Sequence, residues 1–159
     1  DQEEHEFKYA IYPHAEAWRA AGTVDEAYKL NQPLTAQTGT ADGGAYSFAG
    51  VDQANVVLET VKMAEDESGI VLRMYESENA LTKARLTVNT AFEKAYVCNL
   101  LEEIETEAVV NGNEIEVVLK PYEVVTVLLA GAVPTQGSDS VAGHEIMRHE
   151  AKRRAETRR

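Results

Sequence analysis

The 159 residues include 27 acidic and 15 basic side chains, so the formal net charge is −12 and the pI is about 4.7. Nucleic acids and anionic membranes attract basic surfaces, and this balance therefore excludes both as partners. Hydrophobic residues make up 44% of the chain, which favours a folded domain over a disordered polyanion. No apolar run reaches the ~20 residues of a membrane span, and the chain opens without a signal-peptide pattern.

Cysteine usage and charge distribution add two expectations. A single cysteine, Cys98, cannot form an internal disulfide or a thiolate zinc site alone, and with no glycosylation sequon this predicts a cytoplasmic protein.

The charge is distributed unevenly along the chain. Residues 1–130 hold 23 acidic and 9 basic side chains, whereas residues 131–159 hold 4 acidic and 6 basic side chains. Small residues such as Gly131 and Gly137 mark the change. We therefore predict a folded body over 1–130, followed by a linker and polar tail over 131–159. Asp139 or Ser140 could cap a helix in that tail.

The body is predicted to begin with one strand and two short helices. Phe7, Tyr9 and Ile11 recur at every second position, which is typical of a half-buried strand. An alanine-rich stretch over residues 15–21 predicts a first helix. Residues 23–32 predict a second helix, because Thr23 and Glu26 have the spacing of a capping box.

The rest of the body is predicted to consist of strands and turns. Strands are expected over residues 46–51, 56–63, 70–75, 85–88, 95–101, 115–119 and 124–129. Residues 64–69 predict a hairpin loop, and Asn111-Gly112 is the strongest hairpin signal because glycine accepts a positive φ. Eight or nine short strands predict a mostly all-β fold, an antiparallel β-sandwich with one or two short helices near the N-terminus.

No metal site is predicted in this chain. Asp1, Glu3, Glu4 and His5 could together bind a cation, but a solvated chain end is the favoured interpretation. His144 and His149 would lie about 140° apart around a helix, so they cannot share a ligand face.

Carboxylates and aromatic rings are the remaining candidates for chemistry. Glu103, Glu105 and Glu107 would share one face of a strand, about 7 Å apart, a spacing open to glycosidase catalysis. Alternating glutamates more often form the solvent face of an edge strand, and we favour that interpretation. Trp18, with Tyr9 and Tyr12, could stack on a sugar ring, although most such rings are core or interface residues.

Nucleophilic chemistry is not supported by any motif. Cys98 lies in a predicted strand without an adjacent base, which predicts a buried and inert thiol. The chain has no phosphate loop, dinucleotide fingerprint or nucleophile elbow. No catalytic residue is predicted.

An ordered series of motifs resembles one family. Residues 1–14, DQEEHEFKYAIYPH, resemble the Asp-x-Gly-x-His-x-Phe-x-Tyr-x-Leu-x-Pro-His stretch of glycoside hydrolase family 38, the zinc-dependent α-mannosidases, with Glu3 at the family's glycine. The similarity continues through Trp18 and residues 21–22, 27–28, 30–34, 56–66, 71–76, 100–102 and 119–124. It is strongest to the cytosolic and bacterial branch.

The resemblance implies a C-terminal accessory β-domain that packs on a catalytic α/β domain preceding Asp1. In the family, an aspartate nucleophile and a zinc ion, or another divalent metal, act on the mannoside with retention. No position here matches those residues, so this segment alone is expected to be inactive. Asp1 and His5 are expected near the mannose site or at the domain interface. Arg73 and Glu76 are weaker candidates, with a cross-strand ion pair as the alternative.

Two other functions stay open at this point. The chain could be a non-catalytic carbohydrate-binding module that holds mannosides without cleaving them. It could also be a structural module that supports a homo-oligomer.

Overall fold

A computed structural model describes residues 4–36, 38–39 and 45–133. The helix α1 (Thr23–Asn31) precedes nine strands in this part of the chain. The strands are β1 (Ala49–Val51), β2 (Val56–Met63), β3 (Gly69–Glu76), β4 (Thr82–Val88), β5 (Lys94–Cys98), β6 (Ile104–Glu107), β7 (Val109–Asn111), β8 (Glu114–Leu119) and β9 (Val124–Ala130).

The strands form two antiparallel sheets, so the predicted β-sandwich is confirmed. One sheet has four strands in the order β1-β4-β8-β7, and the other has five in the order β2-β3-β9-β5-β6. Every pairing of strands is antiparallel. Short hairpins join β2 to β3 and β7 to β8, as the turn residues at 64–69 and at Asn111-Gly112 predict. Gly112 has a φ of 65°, which explains the glycine there.

The core lies between the two sheets. In β4 and β8, buried and exposed residues alternate, as expected when one face of a strand meets the core and the other meets water. The largest fully buried apolar side chains are Leu72, Met74, Leu86, Ile115, Leu119 and Leu129. A second, smaller cluster lies on the outer face of the five-stranded sheet, where Val71, Cys98 and Leu128 pack with Ala64. The prediction that Cys98 is buried is confirmed.

The glutamates of β6 occupy an exposed edge. The strand β6 closes one side of the five-stranded sheet, and all four of its residues are exposed. Glu107 forms an ion pair with Lys94 at 3.3 Å, and Glu103 lies just before the strand. The interpretation of this run as a solvated edge is therefore confirmed.

The N-terminal predictions were partly wrong. Residues 7–12 are extended but form no strand, because no other described segment pairs with their backbone. Residues 15–21 form hydrogen-bonded turns and not a helix. The capping box is also wrong. Gly22 occupies the N-cap position with a φ of 65°, and Thr23 is already the first helical residue. Of the linker and tail predicted over 131–159, residues 134–159 lie outside the described residues, as do Asp1 and Glu3.

Adding a methyl group at Gly69 tests how closely β3 and β9 approach each other. A Cβ on Gly69 would overlap the main-chain carbonyl of Leu129 on β9, and backbone cannot move aside as a side chain can. We expect Gly69→Ala to lower the free energy of unfolding by about 3 kcal/mol. Gly50→Ala is the matched control, since a Cβ there meets no atom within 4 Å. Urea unfolding of both variants measures the difference, and equal stabilities would contradict the proposed close approach.

Candidate functional site

Three loops meet at one end of the sandwich, and we refer to this region as the loop end. They are the β1–β2 loop (residues 52–55), the β3–β4 loop (residues 77–81) and the β8–β9 loop (residues 120–123). Glu76, the last residue of β3, lies beneath them with no exposed surface. A buried carboxylate without partners is strongly destabilising, so its surroundings must satisfy it.

The carboxylate of Glu76 accepts a hydrogen bond from each of the three loops. Its Oε1 accepts from the side-chain amide of Asn55 at 2.9 Å and from the backbone N–H of Glu78 at 2.7 Å. Its Oε2 accepts from the backbone N–H of Tyr122 at 3.0 Å. Asn55 also donates to the hydroxyl of Thr82 at 2.7 Å. The Glu76 side chain therefore fixes the positions of the three loops relative to one another.

These bonds keep Glu76 ionised. Burial alone would raise the pKa of Glu76, but hydrogen bonds from the Tyr122 backbone, the Asn55 side chain and the Glu78 backbone outweigh it and lower the pKa to about 2. The group is anionic at neutral pH, and its acceptor positions are occupied by the protein. Such a carboxylate is suited to organising loops and not to exchanging protons with a substrate.

Arg73 lies on the opposite face of β3. Its Nε donates to the hydroxyl of Thr126 at 3.2 Å, and its Nη2 donates to the carbonyl of Leu100 at 3.2 Å. Neither Arg73 nor Glu76 forms the cross-strand ion pair that the sequence left open, because each finds other partners within the described residues. The two candidates belong to different sites.

Arg73 helps to hold the loop between β5 and β6 across the outer face of the five-stranded sheet. Glu102 in this loop forms an ion pair with Lys62 at 2.8 Å and accepts from the backbone N–H of Glu65 at 2.8 Å. Burial opposes the ionisation of Glu102, but the hydrogen bonds from Lys62 and the Glu65 backbone, together with the charges of Lys62 and Arg73, outweigh burial and lower the pKa of the carboxyl. The side chains of Leu100 and Leu101 are left 62% and 79% exposed at the tip. A well-fixed loop thus presents apolar surface to solvent.

The N-terminal segment packs on the loop end through polar contacts. Arg19 donates to the hydroxyl of Tyr122 at 3.3 Å, and the hydroxyls of Tyr28 and Tyr75 lie 3.1 Å apart. Burial and the contact with Tyr28 raise the pKa of Tyr75 to about 12. No residue of α1 is buried, so this attachment rests on few contacts.

A shallow open cleft with a volume of about 30 Å³, close to that of one water molecule, lies between the N-terminal segment and the loop end. Trp18 and Arg19 line one side, and Ser77 and Glu78 line the other. Its volume is about a tenth or less of the roughly 300–1,000 Å³ of typical ligand pockets. Trp18 is 41% exposed, but the guanidinium of Arg19 lies 5.0 Å from the ring centroid and covers one face.

The three predicted sugar-stacking rings point to separate places. The ring of Tyr9 contacts Phe7 at 6.3 Å, and that of Tyr12 contacts His14 at 5.6 Å, measured between centroids. The hydroxyl of Tyr12 donates to the carbonyl of Ala21 at 3.1 Å. Sugar stacking by Trp18, Tyr9 or Tyr12 stays a prediction, and any such site would use them singly.

The metal and near-site candidates are not brought together. Asp1 lies outside the described residues, and His5 is exposed in the N-terminal segment. Among the residues that the structure describes, no group of three or more His, Cys, Asp or Glu side chains is arranged to hold a metal ion. A role of Asp1, His5, Arg73 or Glu76 at a domain interface stays a prediction.

Sequence reasoning missed the partners of Glu76. Asn55 precedes a strand, and Tyr122 follows Pro121 with a positive φ of 57°. Both sit in ordinary turn sequences, which many proteins use without any buried carboxylate. The available sequence signal for this site was Glu76 itself, an isolated glutamate at the end of an apolar strand.

Comparison with known proteins assigns a family to the sandwich. Residues 55–127, which span β2 to most of β9 and include Asn55, Glu76 and Tyr122, match the model described as "Glycosyl hydrolases family 38 C-terminal beta sandwich domain". These residues form a family 38 C-terminal β-sandwich domain. The resemblance noted in the sequence is confirmed.

Curated relatives of this family 38 domain are α-mannosidases. The chain is 33% identical to Alpha-mannosidase 2C1 of Homo sapiens over 136 residues, which cover 81% of this chain and 13% of that protein. The protein of the same name from Mus musculus gives the same identity and coverage. Alpha-mannosidase G of Dictyostelium discoideum is 28% identical over 137 residues, 79% of this chain and 12% of that protein. The chain therefore spans about one eighth of the length of these relatives.

Within residues 4–36, 38–39 and 45–133, no helix combines the length and the apolar character needed to span a bilayer.

Replacing Glu76 tests the loop end. Glutamine places an N–H₂ group among backbone donors, so we expect Glu76→Gln to lower the free energy of unfolding by about 2 kcal/mol at pH 7. The ionised carboxylate stabilises the fold fully above its ordinary pKa of 4.5, and this contribution falls as the pH approaches the folded pKa of about 2. The gap between wild type and variant should therefore narrow below pH 4.5.

Urea unfolding at pH 7 and pH 3 measures both effects. Glu116→Gln, on the exposed face of β8, is the matched control and should change stability by less than about 0.5 kcal/mol at either pH. A Glu76→Gln gap that stays constant with pH would contradict the role assigned to the charge.

Proposed function

We propose that this chain is a non-catalytic accessory domain of a retaining, metal-dependent α-mannosidase, and that it supports a catalytic domain outside these 159 residues. One observation carries the proposal. About four fifths of the chain is similar to α-mannosidases, yet it corresponds to only about one eighth of their length. The reaction's nucleophile, its zinc or other divalent metal, and the mannoside itself belong to the catalytic domain in this proposal.

The chemistry of the described residues supports a structural role. The buried carboxylate of Glu76 is fully occupied by protein donors. Glu102 is neutralised by Lys62, and Cys98 is a buried thiol whose pKa is raised by that burial. These groups stabilise the sandwich and its loops, which is what a supporting domain requires.

The surface is consistent with a partner domain. Leu100 and Leu101 are exposed on a loop that several hydrogen bonds hold rigid, and Ile104 is exposed at the start of the adjacent edge strand β6. Adjacent exposed apolar residues of this kind commonly mark a surface that another protein unit covers. The whole enzyme is proposed to be cytoplasmic, because the only thiol of this chain is a free one.

Activity measurements test the proposal. The full open reading frame that encodes this chain is expected to hydrolyse 4-nitrophenyl α-mannoside, while the 159 residues alone release no nitrophenol above background. The β-anomer is the control substrate, which neither protein should cleave. Hydrolysis by the isolated chain, or a reading frame that adds no further polypeptide, would contradict the proposal.

A carbohydrate-binding module is the second candidate, favoured by the cleft beside Trp18. The small volume and the Arg19 guanidinium over the indole argue against a complete sugar site. We therefore expect methyl α-mannoside, added to about ten millimolar, to produce no saturable shift of the Trp18 indole N–H signal in an NMR titration. Saturable shifts of the indole signal and of neighbouring backbone amides, with the amide shifts lost in Trp18→Ala, would favour the binding module instead.

A further inference from the structure

The N-terminal arm, defined as residues 7–12, exposes an alternating apolar face. Phe7, Tyr9 and Ile11 are 79%, 82% and 88% exposed. The ring centroids of Phe7 and Tyr9 lie 6.3 Å apart, which is close to the spacing of alternate side chains along a strand. Phe7 and Tyr9 therefore have the spacing of side chains on one side of an extended segment, and Ile11 continues the alternation in sequence.

The backbone of the arm is also without a pairing partner among the described residues. Residues 7–11 make no backbone hydrogen bond to another segment within the described residues. An extended segment with free donors and acceptors can pair with the open edge of a sheet, which satisfies both and gives each alternate side chain a place to pack.

The base of the arm is held in place. Tyr12 donates to the carbonyl of Ala21, and the turn that contains Ala21 leads directly into α1. Tyr28 of α1 contacts Tyr75 of β3. The arm thus leaves the domain from a defined point at the loop end, which lowers the entropy lost when it pairs with a partner.

We infer that the N-terminal arm adds as a β-strand to an open sheet edge in the part of an α-mannosidase polypeptide that lies outside these 159 residues. The face of Phe7, Tyr9 and Ile11 packs against apolar side chains beside that edge. This inference rests on the proposed function, and it names a segment through which the accessory domain is joined to the rest of the enzyme.

A second copy of this chain fits the arm poorly. Residues 1–130 hold 23 acidic and 9 basic side chains, so two copies repel each other. The exposed edge strand β6 carries Glu105 and Glu107, and the arm follows Glu4 and Glu6 directly. The rest of the relatives, about seven eighths of their length, offers the polypeptide that can supply another edge.

Hydrogen–deuterium exchange tests the inference. Exchange at residues 7–12 is compared between the isolated chain and the product of the full open reading frame, with mass-spectrometric detection. We expect these amides to exchange about tenfold or more slowly in the full product, because strand pairing protects them, and to be unprotected in the isolated chain.

Two variants of the full product separate pairing of the arm from general protection. Ile11→Ser removes one side chain from the proposed apolar face and should return exchange over residues 7–12 most of the way to the rate of the isolated chain. Leu34→Ser is the matched control, since Leu34 is fully exposed and lies outside the arm, and it should leave the protection unchanged.

The outcomes distinguish the inference from the proposed function. A full product that cleaves the α-mannoside but leaves residues 7–12 unprotected overturns the inference alone. A protected arm in a product without mannosidase activity overturns the proposed function alone. Protection in the isolated chain that increases with protein concentration assigns the arm to a second copy and also overturns the inference.

Discussion

An ionised carboxylate without contact to water is the constraint on which the loop end depends. Glu76 has no exposed surface, and hydrogen bonds from three loops make its burial tolerable. Since each donor comes from a different connection, the two sheets cannot shift at this end without leaving a buried charge unpaired. Losing a partner of a buried charge costs far more than losing a surface ion pair, so this arrangement favours one loop geometry strongly. The N-terminal segment then packs on a surface that Glu76 has already fixed.

The outer face of the five-stranded sheet is organised by a different set of charges. Lys62 and Arg73 hold the loop after β5 against the sheet through Glu102 and the Leu100 carbonyl. The leucines of this loop, Leu100 and Leu101, are exposed to solvent. A domain of a larger enzyme can keep such a surface exposed when isolated, because another part of the polypeptide covers it in the whole protein. Under the proposed function, the rest of the α-mannosidase polypeptide covers the exposed leucines.

Strands with a clear alternation of apolar and polar residues and a local turn signal were predictable. Segments that need a pairing partner from elsewhere were not. The alternation in β8 and the Asn-Gly turn before it specify a hairpin locally, so this hairpin can be predicted without knowing its contacts elsewhere in the chain. The same alternation in residues 7–12 also predicts a strand, yet the structure shows an unpaired extended arm. A strand is completed by its neighbour, and the sequence pattern cannot say whether that neighbour lies in the same 159 residues. The helix predicted over 15–21 is also absent, and hydrogen-bonded turns take its place.

The sequence by itself determined the β-sandwich, the acidic exposed edge at β6, the buried thiol of Cys98 and the resemblance to family 38. These follow from periodicity, composition and ordered motifs, which are all local in the chain. Tertiary structure alone decided what Arg73 and Glu76 do. Apart from Glu78, which is two residues from Glu76, their partners come from positions 21 to 53 residues away, and only the folded chain brings those groups within hydrogen-bonding distance.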